Sequence, residues 1–212
     1  MDLSRHTEVA AEELTRRRLG VTSQVLSVHA APLPIPVAVD AATDPSSVFF
    51  FFALPNERYH FWIRVALVSA ELQFAGVAPL SAFELVLTSE RMRPTEISER
   101  LEVQPTRVIS LGESVRPGAA PAKKNSWVWE PVAVGAGFFE TRLERFLAAT
   151  VPLAPRVREL TGCEAEVSVA SYQWAAWPDG FHVSRRTAAA LAELGGSFDI
   201  DLYCSGPAET GA

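Results

Sequence analysis

Asp199, Asp201 and Tyr203 stand two apart near the end of this 212-residue chain. In an extended strand that spacing puts all three on one face. Two carboxylates so placed could hold a cation or share general acid and base duties. No histidine motif lies beside them to complete a metal site, and a solvated strand face is the plainer reading. Were the face covered, both charges could persist only with cations nearby. A second concentration is aromatic: Trp127, Trp129, Tyr172, Trp174 and Trp177. Aromatic rings alongside arginines are typical of protein interfaces. They also line ligand pockets, and they also simply pack cores. These eight residues are the candidate binding residues. No residue is assigned a catalytic role, and no metal ligand or cofactor is expected.

Other groups offer less. His182 has no nucleophile pattern near it. The chain lacks a G-x-S-x-G elbow, a phosphate-binding glycine loop, a dinucleotide fingerprint and an H-E-x-x-H helix. Cys163 and Cys204 match no metal-ligand spacing and read as two buried reduced thiols, with a disulfide as the lesser alternative. The Arg16–Arg18 triplet reads as a solvated helix end offset by nearby glutamates. Lys123 and Lys124 read as loop residues. His60, Trp62 and Arg64 alternate along one strand face and could line a pocket or pack against the rest of the chain.

Composition narrows the classes. The chain is 48% hydrophobic and 21% charged, as soluble globular proteins are. A formal net charge of −6 and a pI near 5.3 argue against a general nucleic-acid binder, which needs a basic surface. The longest apolar run, 48–54, is far short of the roughly 20 residues that span a bilayer. The first residues carry no signal-peptide core, so a cytoplasmic protein without membrane contact is expected.

Local patterns then give the elements that must hold these residues. Thr7–Leu19 reads as a helix capped by Thr7 and stopped by Gly20. Val21–His29 alternates weakly, as a strand would. The prolines of 32–36 demand an extended segment. Val48–Ala53 and Tyr59–Val68 read as a hairpin around Pro55, Asn56 and Glu57, its first strand apolar on both faces. Phe83, Leu85 and Leu87 mark a strand, and Pro94 opens a helix with Ile97 and Leu101 on one face. Val108–Leu111 and Ser126–Val132 are extended. Phe138–Leu160 is helical, with Pro152 and Pro155 predicting a break near Val151. Glu164–Trp174 is a strand, Trp177–Gly180 a turn, and Ser184–Leu194 a helix with Ala188, Leu191 and Leu194 inward, closed by Gly195. Phe198–Cys204 is the last strand.

The order from Phe83 is β-α-β-β-α-β-α-β. This predicts an α+β fold, a ferredoxin-like antiparallel sheet with helices on one face, preceded by an N-terminal helix and β-hairpin extension. The expected organisation is an extension over 1–79, the α+β module over 80–206, and a flexible tail over 207–212. The aromatic hairpin either extends the sheet or covers its open face.

Three blocks carry a family resemblance. RPTEISERLEVQPTRVISLGE, NSWVWEP and SRRTAAALAELGGSFDIDLYCSG follow one another in residues 83–204. Over that stretch the chain resembles the bacterial family catalogued as domain of unknown function 4279. The resemblance implies a fold and brings no activity, cofactor or catalytic residue. Arg93 stands where the family has an acidic residue before the proline, which implies a weakened helix cap.

Two functional expectations result. The first is a binding module without catalysis, immunity-like or regulatory, whose acidic surface and aromatics engage a protein partner, a basic one by charge complementarity. The second is a small-ligand binder or enzyme using a pocket between the N-terminal hairpin and the sheet. An open aromatic patch favours the first, and an enclosed site with convergent buried polar groups the second. The oligomeric state is open.

Overall fold

The computed structural model describes residues 2–178 and 180–207. The chain opens with two helices, α1 (Ser4–Arg16) and α2 (Gly20–Val28). Three strands follow: β1 (Ala38–Asp40), β2 (Ser47–Ala53) and β3 (Tyr59–Ala66). The long strand β4 (Leu72–Ser89) leads to α3 (Pro94–Leu101), β5 (Arg107–Ile109) and β6 (Asn125–Trp129). Next come α4 (Phe139–Thr150), a 3-10 turn at Val151–Leu153, α5 (Ala154–Glu159), β7 (Glu164–Trp174), α6 (Arg185–Leu194) and β8 (Ser197–Ser205). The fold is α+β, as expected.

All eight strands belong to one hydrogen-bonded system, and β4 organises it. Its first half pairs with β3, from Leu72 opposite Val65 to Pro79 opposite Tyr59. Its second half pairs with β6 on one side and β7 on the other. The order through the second half is β8-β7-β4-β6-β5, and β1-β2-β3 join at the first half. The hairpin therefore extends the sheet through β3. The 79/80 division expected from the sequence falls inside β4. The sheet is not wholly antiparallel: β8 runs parallel to β7, because α6 intervenes and a helical crossover returns the chain in the same direction.

Three apolar clusters result. Alternation along β2 sends Val48, Phe50 and Phe52 to one face and Phe49 and Phe51 to the other, and all five are buried. The first set packs with Phe61, Ile63 and Val65 beneath Ala10, Leu14, Val25 and Leu26 of α1 and α2. The second packs with Ala78, Trp62 and Phe138. Further along, Phe83, Leu85 and Leu87 of β4 meet Val167 and Val169 of β7. Ile97 and Leu101 of α3, Leu143 and Phe146 of α4 and Leu194 of α6 roof them. Fully burying each such side chain contributes about 1.5–3 kcal/mol.

Several local expectations are corrected. The strand expected over Val21–His29 is helical as far as Val28, within α2, and His29 is its extended C-cap: Thr22, Val25 and Leu26 share the buried side of the helix. Gly20 opens that helix rather than closing the one before. The first helix ends at Arg16, with Arg17 in the left-handed region (φ 49°). The buried Glu13 carboxylate then accepts the backbone N–H groups of Arg18 and Leu19, supplying the cap of α2. Thr7 does not cap α1; its hydroxyl donates to the Leu3 carbonyl within the helix. In α6 the inward residues are Thr187, Ala190, Leu191 and Leu194, and Ala188 is exposed. Arg93 offers no side-chain acceptor, yet its backbone N–H donates to Glu96 at 2.8 Å, so half of a capping box persists. The break near Val151 is present as the 3-10 turn. Of the expected Trp177–Gly180 turn, Asp179 lies outside the described residues, as does 208–212 of the tail.

Candidate functional site

The aromatic candidates separate into buried and accessible groups. Trp127 is fully buried, and its indole N–H donates to Ser98 Oγ at 3.0 Å. Trp129, two residues on, is half-buried against the same core. Trp174 is buried in the N-terminal core, donates to the Pro207 carbonyl at 2.8 Å and packs edge-on to His29. Trp177 is half-buried and edges a recess that also holds Trp62, Phe74 and Phe138. Tyr172 and Tyr203, by contrast, sit at a surface groove.

Strand register brings that tyrosine pair together. Tyr172 lies opposite Tyr203 in the β7–β8 ladder. Their rings stack at 5.0 Å with a 20° interplanar angle. The Arg58 guanidinium sits over the Tyr172 ring at 4.7 Å. Arg58 arrives there from the β2–β3 turn. Asn56 takes a left-handed conformation (φ 66°) and Glu57 N–H closes onto Leu54 O, which sets the start of β3 beside the end of β7. Asn56, Glu57 and Arg58 thus wall a groove of about 610 Å³ whose other side is Tyr172 and 202–205 of β8. Arg58 was not singled out as a site residue from the sequence, because its ring partner Tyr172 lies over a hundred positions away.

Asp199 and Asp201 share the β8 face that ends in Tyr203, and both are exposed. Their neighbours across the ladder are Ser168 and Ala170. Among the described residues neither carboxylate has an ion-pair partner. Nearby acids on the same sheet are engaged: Glu84 with Arg107 at 3.2 Å and Glu164 with Lys124 at 2.7 Å. Among the described residues the β8 face thus carries two carboxylates without an ion-pair partner. Among the described residues, no three His, Cys, Asp or Glu side chains gather as a metal site.

Beneath the groove lies a buried polar chain. Glu57 Oε1 is 3.5 Å from His29 Nδ1, and His29 Nε2 is 3.5 Å from the Tyr59 hydroxyl. Burial lowers the His29 pKa against the opposing pull of Glu57, and raises that of Tyr59. A carboxylate, an imidazole and a hydroxyl in sequence suggest proton transfer. Yet Tyr59 is only 1% exposed, and the backbone of Gly206 lies directly against its hydroxyl. No substrate reaches that oxygen in this conformation, so the chain serves to satisfy buried polar groups.

A second buried set lies under the 130–138 segment. Arg142, 3% exposed, donates to the carbonyls of Ser81 and Ala133 at 2.9 and 3.0 Å. His60 lies near it, and burial followed by the arginine charge holds the imidazole down at about 4. Arg64, the third residue of that strand face, pairs with Asp44 and donates to Ser47 Oγ. The face is thus packed at His60 and Arg64, while Trp62 alone of the three edges the recess.

Comparison with known proteins gives one match. A family model described as Domain of unknown function (DUF4279) matches residues 79–205. No curated protein and no solved structure matches the chain.

Proposed function

The chain belongs to the family described as Domain of unknown function (DUF4279), and from that premise we propose that it is a binding module without catalysis. Its partner is a protein with a basic contact surface, engaged at the free β8 edge and the adjoining groove. The observation that carries this reading is the stacking of half-buried Tyr172 on exposed Tyr203, along one strand face with Asp199 and Asp201, two exposed carboxylates without an ion-pair partner among the described residues. Stacked tyrosines offer flat area at low entropic cost and attract guanidinium or ammonium groups. Unpaired carboxylates steer a cationic partner and fix its register. Among the described residues β8 pairs with β7 alone, so its outer edge can accept an added strand. The closed setting of Tyr59 speaks against proton transfer along the Glu57–His29–Tyr59 chain.

Within the same reading, residues 80–206 form a ferredoxin-like unit. The order β7-β4-β6-β5 with antiparallel neighbours, and helices between β4 and β5 and between β6 and β7, supports that assignment. α6 and β8 add to its edge, and 1–79 form the extension. We also assign the protein to the bacterial cytoplasm, without nucleic-acid or membrane contact.

The test is affinity capture from host lysate, followed by titration with the purified captured protein. The reading requires a stoichiometric partner whose affinity falls with salt and drops at least about tenfold in Asp199→Asn/Asp201→Asn or Tyr203→Ala. Undiminished binding by both variants overturns the site. Trp127 and Trp174 are unsuitable probes, since both are core residues.

A further inference from the structure

We propose that the recess edged by Trp62, Phe74, Phe138 and Trp177 is an aromatic cage for a quaternary or methylated ammonium group. The recess shares no lining residue with the β8 groove, so the two assignments fail or succeed separately. Its volume is about 280 Å³, at the lower limit for small-molecule sites. That suits a compact headgroup and not an extended ligand.

Four rings come from four parts of the chain: β3, β4, the segment before α4 and the segment after β7. Trp62 meets Phe138 edge-on at 5.5 Å and 73°, and Phe74 at 5.8 Å and 39°. Trp62 is inclined to both of these neighbours and stacks on neither, and Trp177, packed partly against the N-terminal core, lines the recess as well. Phe74 is 48% exposed and Trp62, Phe138 and Trp177 are half-buried. A free cation attracted to ring faces prefers this arrangement. The arginines that lie over rings elsewhere use Tyr172, Phe49 and Phe83. Among the described residues, no side-chain cation occupies the cage.

Two further features fit the same ligand. Among the described residues Glu140 is the charged member of the lining, and one oxygen accepts the His182 backbone N–H at 3.1 Å, which orients the carboxylate. A carboxylate beside aromatic faces is costly for a neutral apolar guest, since desolvating it goes uncompensated. It favours a guest that is apolar in surface and positive in charge. Gly76 sets the floor: a Cβ there would stand 2.7 Å from Trp62 Cζ2 and 2.8 Å from Cε2. Only glycine lets the indole lie down on β4, so the wall is formed before any ligand arrives.

The shared chemistry covers a free quaternary amine and a trimethyl-lysine side chain. Calorimetric titration of the full chain with choline, with its uncharged isostere 3,3-dimethylbutan-1-ol, and with a trimethyl-lysine peptide and its unmodified counterpart distinguishes them. The expected result is that at least one methylated ammonium binds about tenfold or more tighter than the isostere or the unmodified peptide. Tighter binding by the peptide than by choline identifies a protein-borne side chain as the source. The reverse order identifies a free amine. Glu140→Gln and the surface variant Phe74→Ala each weaken binding about threefold to tenfold, with the fold checked by circular dichroism. Equal affinity for charged and neutral guests, absence of any binding, or indifference to both substitutions overturns the cage.

Discussion

The carboxylate of Glu13 accepts the backbone N–H of Leu19 at 2.9 Å, from one helix to the first residue before the next. It also accepts the N–H of Arg18 at 3.0 Å. One buried acid therefore joins α1 to α2. Glu13→Ala leaves two donors short of partners and is expected to cost about 2–4 kcal/mol in urea unfolding. Glu13→Gln keeps an acceptor and loses less. Equal stability of the alanine variant and the parent would refute this capping role.

The aromatic candidates divide sharply in cost. Trp127→Ala and Trp174→Ala empty core positions and are expected to lose about 3–5 kcal/mol. Tyr203→Ala, at 48% exposure, stays within about 1 kcal/mol of the parent. Chemical denaturation of the three variants side by side measures the split.

His60 predicts a pH dependence. Its folded pKa of about 4 lies below the usual 6.5, so the unfolded chain binds the extra proton between those values. Stability from this group is full above about pH 6.5 and falls as pH drops toward about 4, by about 3 kcal/mol at most. His60→Phe flattens that part of the profile. Nearby Arg142 keeps its charge, and Glu130, whose pKa is raised chiefly by burial, contributes with the opposite sign. Thermal unfolding of both proteins across this range is the measurement, and superimposable slopes would rule the assignment out.

Gly206 sits at φ 102° with Tyr59 Oη and Trp174 Cδ1 against the place a side chain would take. Gly206→Val is expected to lift the segment off Trp174, break the bond to the Pro207 carbonyl and shift tryptophan emission to the red. The strain and lost contact together cost about 1–3 kcal/mol. Unchanged emission would show that the segment does not depend on this glycine.

What the sequence makes legible is what local physics dictates. Alternation marks β3, β7 and β8, a continuous apolar run marks β2, and the prolines at 152 and 155 mark the break after α4. The nine residues of α2 fit a helix and a weak strand alike, and only the tertiary cover of Val25 and Leu26 decides. The first half of β4 is hidden by Ala75, Gly76, Ala78 and Pro79, small or punctuating residues without a strand pattern. Groove and cage escape for another reason. Arg58 meets Tyr172, and Phe138 meets Trp62, through pairings that no local window contains.

Strand β4 also has a consequence for how the chain must fold. Its hairpin with β3 is local and can form early, whereas its partner β7 lies some ninety positions downstream, Ser81 facing Ser171. The early hairpin would present half of an eighteen-residue strand as a ready template. The later half of the chain then has a formed edge to close onto, and the β3–β4 hairpin is expected to precede the β4–β7 pairing.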